Sequence, residues 1–364
     1  MTGRFLNATG VGVIVADHVV RGRDAVKFGP VAALILASAA LSPAGAQNWN
    51  EVVAAAKKEA TVTVYHSQLG APHWNAVVDA FQKKYGIEVK EFDARASEIT
   101  ERVRVEQSSG RAIADVEFHG LATIVDQRKS NFIAELGAIP NAKNIRPDVP
   151  PADKWEVPAW NQFVCTLTNT RMITPADEPK TYSDFLKPEF KGKMLSDDMA
   201  AIGSGQTFFA VLYQKYGSVL LQKFKEQNLT FDRDLQQMSR RVARGEYPVM
   251  LQQIVAFAYP LRSLPVKVVV PEEGCPITPI EGAVLRGAPH PNAARLFINH
   301  FLDLGSQLTY ANAWMGAVVT GVLDHLTDPD AKRFAQIKVL GYITPDIRDA
   351  MLKAATEMFN PGAH

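Results

Sequence analysis

Between Thr61 and Phe92 the chain alternates two kinds of order. Thr61 to Tyr65 is β-branched and aromatic, with Val62 and Val64 on one side, which predicts a strand. Trp74, Val77, Val78, Phe81 and Tyr85 then recur at helical spacing. Pro72 suits the first helical turn and Gly86 the left-handed residue just past the end. Ile87 and Val89 resume strand alternation. A strand, helix and strand in this order close right-handed with the strands parallel. Open parallel sheets bind ligands beyond the carboxyl ends of their strands, which puts the polar loop His66-Ser67-Gln68 at a binding edge.

The same logic runs along the rest of the chain. A short amphipathic helix over 48–60 precedes this unit. After the second strand comes Asp93-Ala94-Arg95-Ala96-Ser97, with Ser97 expected to cap a helix reaching about Gly110. Ala114 to Phe118 predicts a third strand, followed by His119-Gly120 and a helix over 121–129. Pro140 to Pro158 is rich in Pro, Asn and Asp and predicts a connection leaving a first lobe. Phe163 to Thr170 predicts a crossing strand. Thr181 with Asp184 forms a capping box. A short strand at 193–195 leads through Asp197-Asp198 to Gly203-Ser204-Gly205-Gln206, which opens a helix carrying Phe208, Phe209, Leu212 and Tyr216. Another helix over Leu235, Met238 and Val242 ends at Gly245; strands follow at 249–251, ending in Gln252-Gln253, at 266–270, and at 283–285. The remainder predicts helices, with Phe297, Ile298 and Phe301 on a core face. The expected class is therefore α/β, with two open sheets, flanking helices and two crossing strands.

Composition narrows the function. The chain has 364 residues, 47% hydrophobic and 21% charged, which is globular and long enough for about two domains. Its net charge of +1 lacks the basic excess of a nucleic-acid binder. Residues 1–46 read as a leader: Arg21, Arg23 and Lys27 precede the apolar run 31–41, and Ala44-Gly45-Ala46 offers a cleavage site. The apolar run is shorter than the roughly 20 residues of a membrane span. Gln47 stands where a lipid-anchored exported protein would carry Cys. Cys165 and Cys275 either pair in an oxidising compartment or remain two buried thiols; their spacing does not choose.

The pieces AAKKEATVTVY, AFQKKYGIEV, SGRAIADVEF, LTNT and YSDFLKPEFKGKM, and above all APHPNAARLFINHFLDLGSQ at 288–307, occur in an order and spacing that resembles the periplasmic solute-binding proteins of ABC importers, in the branch that includes ferric-ion binders. The resemblance covers nearly all of the chain after the leader. It implies a two-lobed type II periplasmic binding fold, with lobe 1 from 47–158 and 264–364 and lobe 2 from 159–263. It also implies a periplasmic, monomeric protein whose partners are a small solute, a permease and its ATPase in the inner membrane. One departure stands out. Ferric-ion binders of this branch carry adjacent tyrosines after the Gly-Glu element, here Gly245-Glu246-Tyr247, and the matching positions are Gln252 and Gln253. Amides lack the phenolate oxygen that a hard ferric ion favours; the donor-rich set of Ser, Arg, His, Gln and helix starts points to a small anion such as a carboxylate, phosphonate or phosphate ester, with a ferric ion or ferric complex as the alternative.

Candidate solute contacts are His66, Ser67, Gln68, Arg95, Ser97, His119 and Gly120 from one lobe and Ser204, Gly205, Gln206 and Gln252 from the other. Arg offers a forked pair of donors to a carboxylate or phosphate, and the Ser204-Gly205 helix start offers free N–H groups and a positive dipole end. The histidines show no metal-finger spacing, and no C-x-x-C, P-loop or H-E-x-x-H occurs. No metal or cofactor is expected. A secreted hydrolase is the reading from another class, but Ile202-Gly203-Ser204-Gly205-Gln206 lacks the outer glycines of a G-x-S-x-G elbow.

Overall fold

The computed structural model describes residues 48–149 and 152–360. The expected leader and its cleavage site lie outside the described residues. Helix α1 (Trp49–Glu59) leads into β1 (Thr61–His66), α2 (Pro72–Tyr85) and β2 (Glu88–Asp93), and β1 and β2 pair in parallel from Thr61↔Glu88 to His66↔Asp93. Pro72 opens α2, and Gly86 closes it at φ 69°, where a side chain would be strained. Next come α3 (Ala96–Ser108), β3 (Val116–Gly120) and α4 (Leu121–Lys129), with β3 parallel to β1.

The long strand β4 (Glu156–Asn169) joins two halves of the sheet. Beyond it lie β5 (Met194–Ser196), α5 (Ser204–Lys225), β6 (Thr230–Phe231), α6 (Leu235–Ala243), β7 (Val249–Ile254), α7 (Val255–Ala258), β8 (Val266–Val269) and β9 (Cys275–Val284). The strand path is β2-β1-β3-β9-β4-β7-β5-β6, with β8 also on β4. β4 pairs with β9 up to Phe163↔Ile277, then hands over to β7 at Val164↔Ile254 and to β8 at Thr166↔Val269. Cys165 and Cys275 form a disulfide at this handover, with Cα atoms 5.3 Å apart. It ties β4, which pairs in both halves, to the start of β9.

Two of the sequence expectations need correction here. β4 begins at Glu156, inside the stretch read as a connection, and β9 occupies 275–284 where only 283–285 was expected. Pro158, Pro276 and Pro279 cannot donate to a ladder and disguise both strands. The pairing instead shifts register between Pro158 and Trp160, and β9 holds its place between β3 and β4.

Aromatic side chains pack in the core of both halves. Trp74, Phe81, Phe118, Trp160, Phe297 and Phe301 pack on the β1–β3 side, with Phe118 and Trp160 centroids 5.3 Å apart and Trp160 and Phe301 5.0 Å apart. Phe185, Phe208, Phe209, Leu212, Phe224 and Leu251 pack on the β5–β7 side. Full burial of one such side chain contributes about 1.5–3 kcal/mol, which fixes α2, α5 and the helix Pro291–Phe301 against the sheet and holds the loops between them in place.

Candidate functional site

The carboxyl ends of β1, β2 and β3 meet those of β5 and β7 across one cleft, which encloses about 940 Å³ including the part open to solvent. Ser67, Arg95, His119 and Gly120 line it from the first wall, and Asp197, Ser204, Gln206 and Thr207 from the second. Gln162 on β4 and Ile277, Thr278 and Ile280 on β9 form its floor. This is where an open α/β sheet binds ligands, because the strands end there and the loops and helix starts expose unpaired backbone groups.

Six of the sequence candidates therefore line one cleft: Ser67, Arg95, His119, Gly120, Ser204 and Gln206. His66, Gln68, Ser97, Gly205 and Gln252 do not line it. His66 is buried and stacks on Trp74 at 3.9 Å, while its Nδ1 lies 3.3 Å from the Gln68 N–H and 3.4 Å from Asp93. Gln68 is also buried, with its Oε1 3.0 Å from His73 Nε2. The Asp93 carboxylate accepts the N–H groups of Leu69 and Gly70 at 2.8 and 2.6 Å. His66 and Gln68 thus shape the loop from beneath, and Ser67 is the member that faces the cleft.

His119 ties two helix starts together. Its Nδ1 accepts the Gly120 N–H at 2.7 Å, so Nε2 carries the proton and donates to the Ala96 carbonyl at 2.9 Å. Burial pushes its pKa down to about 4, so it brings no charge to the cleft at neutral pH. Arg95, not Ser97, is the residue before α3, and the Glu98 carboxylate accepts its backbone N–H and its guanidinium, both at 3.1 Å. Ser97 lies inside the helix, and its hydroxyl accepts from Arg233 at 2.9 Å.

On the second wall the start of α5 is already filled. Asp197 Oδ2 accepts from the Ser204 hydroxyl at 2.7 Å and from the Gly205 N–H at 2.8 Å, while Oδ1 accepts the Asp198 N–H at 2.9 Å. Burial raises the Asp197 pKa, opposed by these bonds. A Cβ at Gly205 would come within 2.5 Å of the Asp198 carbonyl oxygen, so only glycine lets this turn close. Gln252 is fully buried behind it and accepts the Asp197 N–H at 3.0 Å. Gln253 is equally buried and is used by Ser239 at 2.6 Å and by the Ile254 carbonyl at 2.7 Å. Both amides serve the fold.

Sequence reading missed several residues of the lining: Asp197 as an acceptor inside the cleft, Gln162, Thr207, Thr278, Arg233 and Arg348. The Thr207 and Thr278 hydroxyls are 2.8 Å apart, Arg233 bonds Ser97, and the Gln236 amide donates to the Leu69 carbonyl, so the two walls touch. Arg348 opens the helix Arg348–Phe359, pairs with Asp126 of α4 at 2.8 Å and lies 3.5 Å from the Thr123 hydroxyl in the first turn of α4. Only Asp197 had a local signal, since it stands just before the Gly-Ser-Gly turn. Among the described residues no tyrosine lines the cleft, and no group of His, Cys, Asp and Glu is placed to hold a metal ion.

Residues 116–342 match the family model of the bacterial extracellular solute-binding proteins. The match covers more than half of the chain, and the chain belongs to this family: a protein that binds a solute and does not transform it. No curated protein sequence matches it. Three solved structures similar to it are iron-bound HitA from Pseudomonas aeruginosa, AfuA from Actinobacillus pleuropneumoniae with exogenous fructose-6-phosphate bound, and the ferric binding protein from Campylobacter jejuni. HitA is 18% identical, with 82% of this chain and 99% of that chain covered and a TM-score of 0.67. AfuA is 18% identical, with 82% and 98% covered and a TM-score of 0.67. The Campylobacter protein is 17% identical, with 82% and 98% covered and a TM-score of 0.68. At these identities the likeness is one of fold: the two-lobed α/β periplasmic binding fold of type II.

Proposed function

We propose that this protein captures a small anionic solute between its lobes and delivers it to the permease and ATPase of an ABC importer. In this reading residues 47–158 and 264–364 form one lobe and 159–263 the other, and the chain is exported as a monomer by its leader. The observation that carries the reading is that donors from both walls face one cleft: Arg95 and the Gly120 turn on one side, Gln206 and Arg233 on the other. A ligand held by both walls stabilises the closed state by its preference for it. A charge-assisted hydrogen bond contributes on the order of 1.5–3 kcal/mol, so a few of them reach the roughly 8 kcal/mol of micromolar binding. Sugar-phosphate binding by AfuA and iron binding by HitA frame the choice of solute. The absence of phenolate from the lining among the described residues favours an organic anion over a bare ferric ion. Isothermal titration of the purified protein against carboxylates, phosphate esters and ferric salts tests this. Stoichiometric binding of an anion without turnover is expected, and a tightly bound, visibly coloured ferric complex would overturn the anion reading.

A further inference from the structure

The two walls do not offer an anion equal seats. The α5 start holds the Asp197 carboxylate on Ser204 and Gly205 at 2.7 and 2.8 Å, so a second anion placed there would meet a buried negative group. The α4 start has no side-chain cap, and Gly120, Leu121, Ala122 and Thr123 all line the cleft. Its first-turn N–H groups have no partner within the helix and point their dipole end toward the cleft.

We propose that the solute is a carboxylate with an apolar body, its charged end at the α4 start and its body against Leu235, Ile254, Phe257, Ile277 and Ile280; this rests on the anionic-solute reading above. Charge supports a single negative group. Arg95 is paired with Glu98 at 3.1 Å, Arg348 with Asp126 at 2.8 Å and with Asp349 at 3.1 Å, and the Arg233 charge is felt by the buried Asp197 carboxylate. With Asp197 also facing the cleft, little uncompensated positive charge remains for a phosphate group, which carries roughly 1.5 to 2 negative charges. The neutral donors point the same way. Gln162 and Gln206 are 6% and 2% exposed, line the cleft, and have no acceptor for their Nε2 groups among the described residues. An amide can turn to offer a carboxylate its N–H₂ without adding charge. The apolar side chains argue against a sugar body, whose hydroxyls would be buried without partners.

Calorimetric titration of the full chain with benzoate, cyclohexanecarboxylate, acetate, benzamide, inorganic phosphate and fructose 6-phosphate tests the proposal. Benzoate or cyclohexanecarboxylate should bind about tenfold tighter than acetate, benzamide and both phosphates, a difference near 1.4 kcal/mol. Tighter binding of either phosphate overturns the apolar body and leaves the anionic reading standing. Benzamide binding as tightly as benzoate removes both. No response to any carboxylate overturns this inference, and no response to any anion removes the anionic reading with it. Gln162→Leu, which removes a donor that has no acceptor among the described residues, should weaken benzoate binding about tenfold, and Ser204→Ala less than about twofold. The reverse order would place the charged end at α5 and overturn the assigned seat. Melting curves without ligand separate these effects from loss of fold.

Discussion

The starts of α4 and α5 face the same cleft from its two walls and are built in opposite ways. α5 begins on a buried carboxylate: Asp197 takes up the Ser204 hydroxyl and the Gly205 N–H, and Gln252 holds the Asp197 backbone. α4 begins on Gly120 with no side-chain cap, and the neutral ring of His119 accepts the Gly120 N–H. Both turns are rich in small residues and both follow a strand. What separates them is whether the chain supplies its own anion. A helix start that is already neutralised serves the fold; one left open can serve a ligand.

The largest effect tests whether the two walls share one frame. The Cys165–Cys275 bond closes a separation of 110 residues between β4, which pairs in both sheet halves, and β9. Reduction, or the double change Cys165→Ser with Cys275→Ser, should lower stability by about 2–5 kcal/mol. Denaturant melts with and without reductant measure it, and an unchanged midpoint would mean that these strands need no staple.

Removing Asp197 opens the α5 start. Asp197→Ala leaves the Ser204 hydroxyl and the Gly205 N–H without their acceptor and should cost about 1–3 kcal/mol. It should also make the α5 start resemble the α4 start, so that inorganic phosphate raises the melting temperature of the variant more than that of the parent protein. Equal responses would mean that Asp197 does not guard this seat.

The smallest effect concerns pH on the first wall. Burial pushes Glu117 up to about 8, and Glu281, with Glu156 and Asp153 adding to the burial, up to about 8. Below the unfolded value of 4.5 both states hold these protons, and the stabilisation is complete. As pH rises toward 8 the unfolded chain releases them first, so stability falls. His73 and His119 are pushed down to about 4 and act in the opposite sense, losing stability as pH drops from 6.5. Between pH 6.5 and 8 only the carboxyl slope remains. The melting temperature should therefore fall across that window, and Glu117→Gln should flatten the fall. A rise with pH would show that these carboxyls are ionised in the fold.

The local part of this protein was legible in its residues. Strand and helix periodicity, Pro72, and Gly86 placed β1, α2 and β2 and their parallel pairing, because those signals act over a few residues. The loops at the strand ends were legible as well, and six of their named residues line the cleft. Direction and partnership were not. His66, Gln68 and Gln252 look like ligand donors in sequence and turn inward to buried partners. Arg348 reaches the cleft from a helix more than two hundred residues away from the α4 start beside it. β4 and β9 override their prolines because each is held between neighbours on both sides. Short-range order comes from backbone geometry and side-chain shape. Which polar group is spent inside the fold, and which is left for a solute, depends on atoms that meet only after the chain has folded.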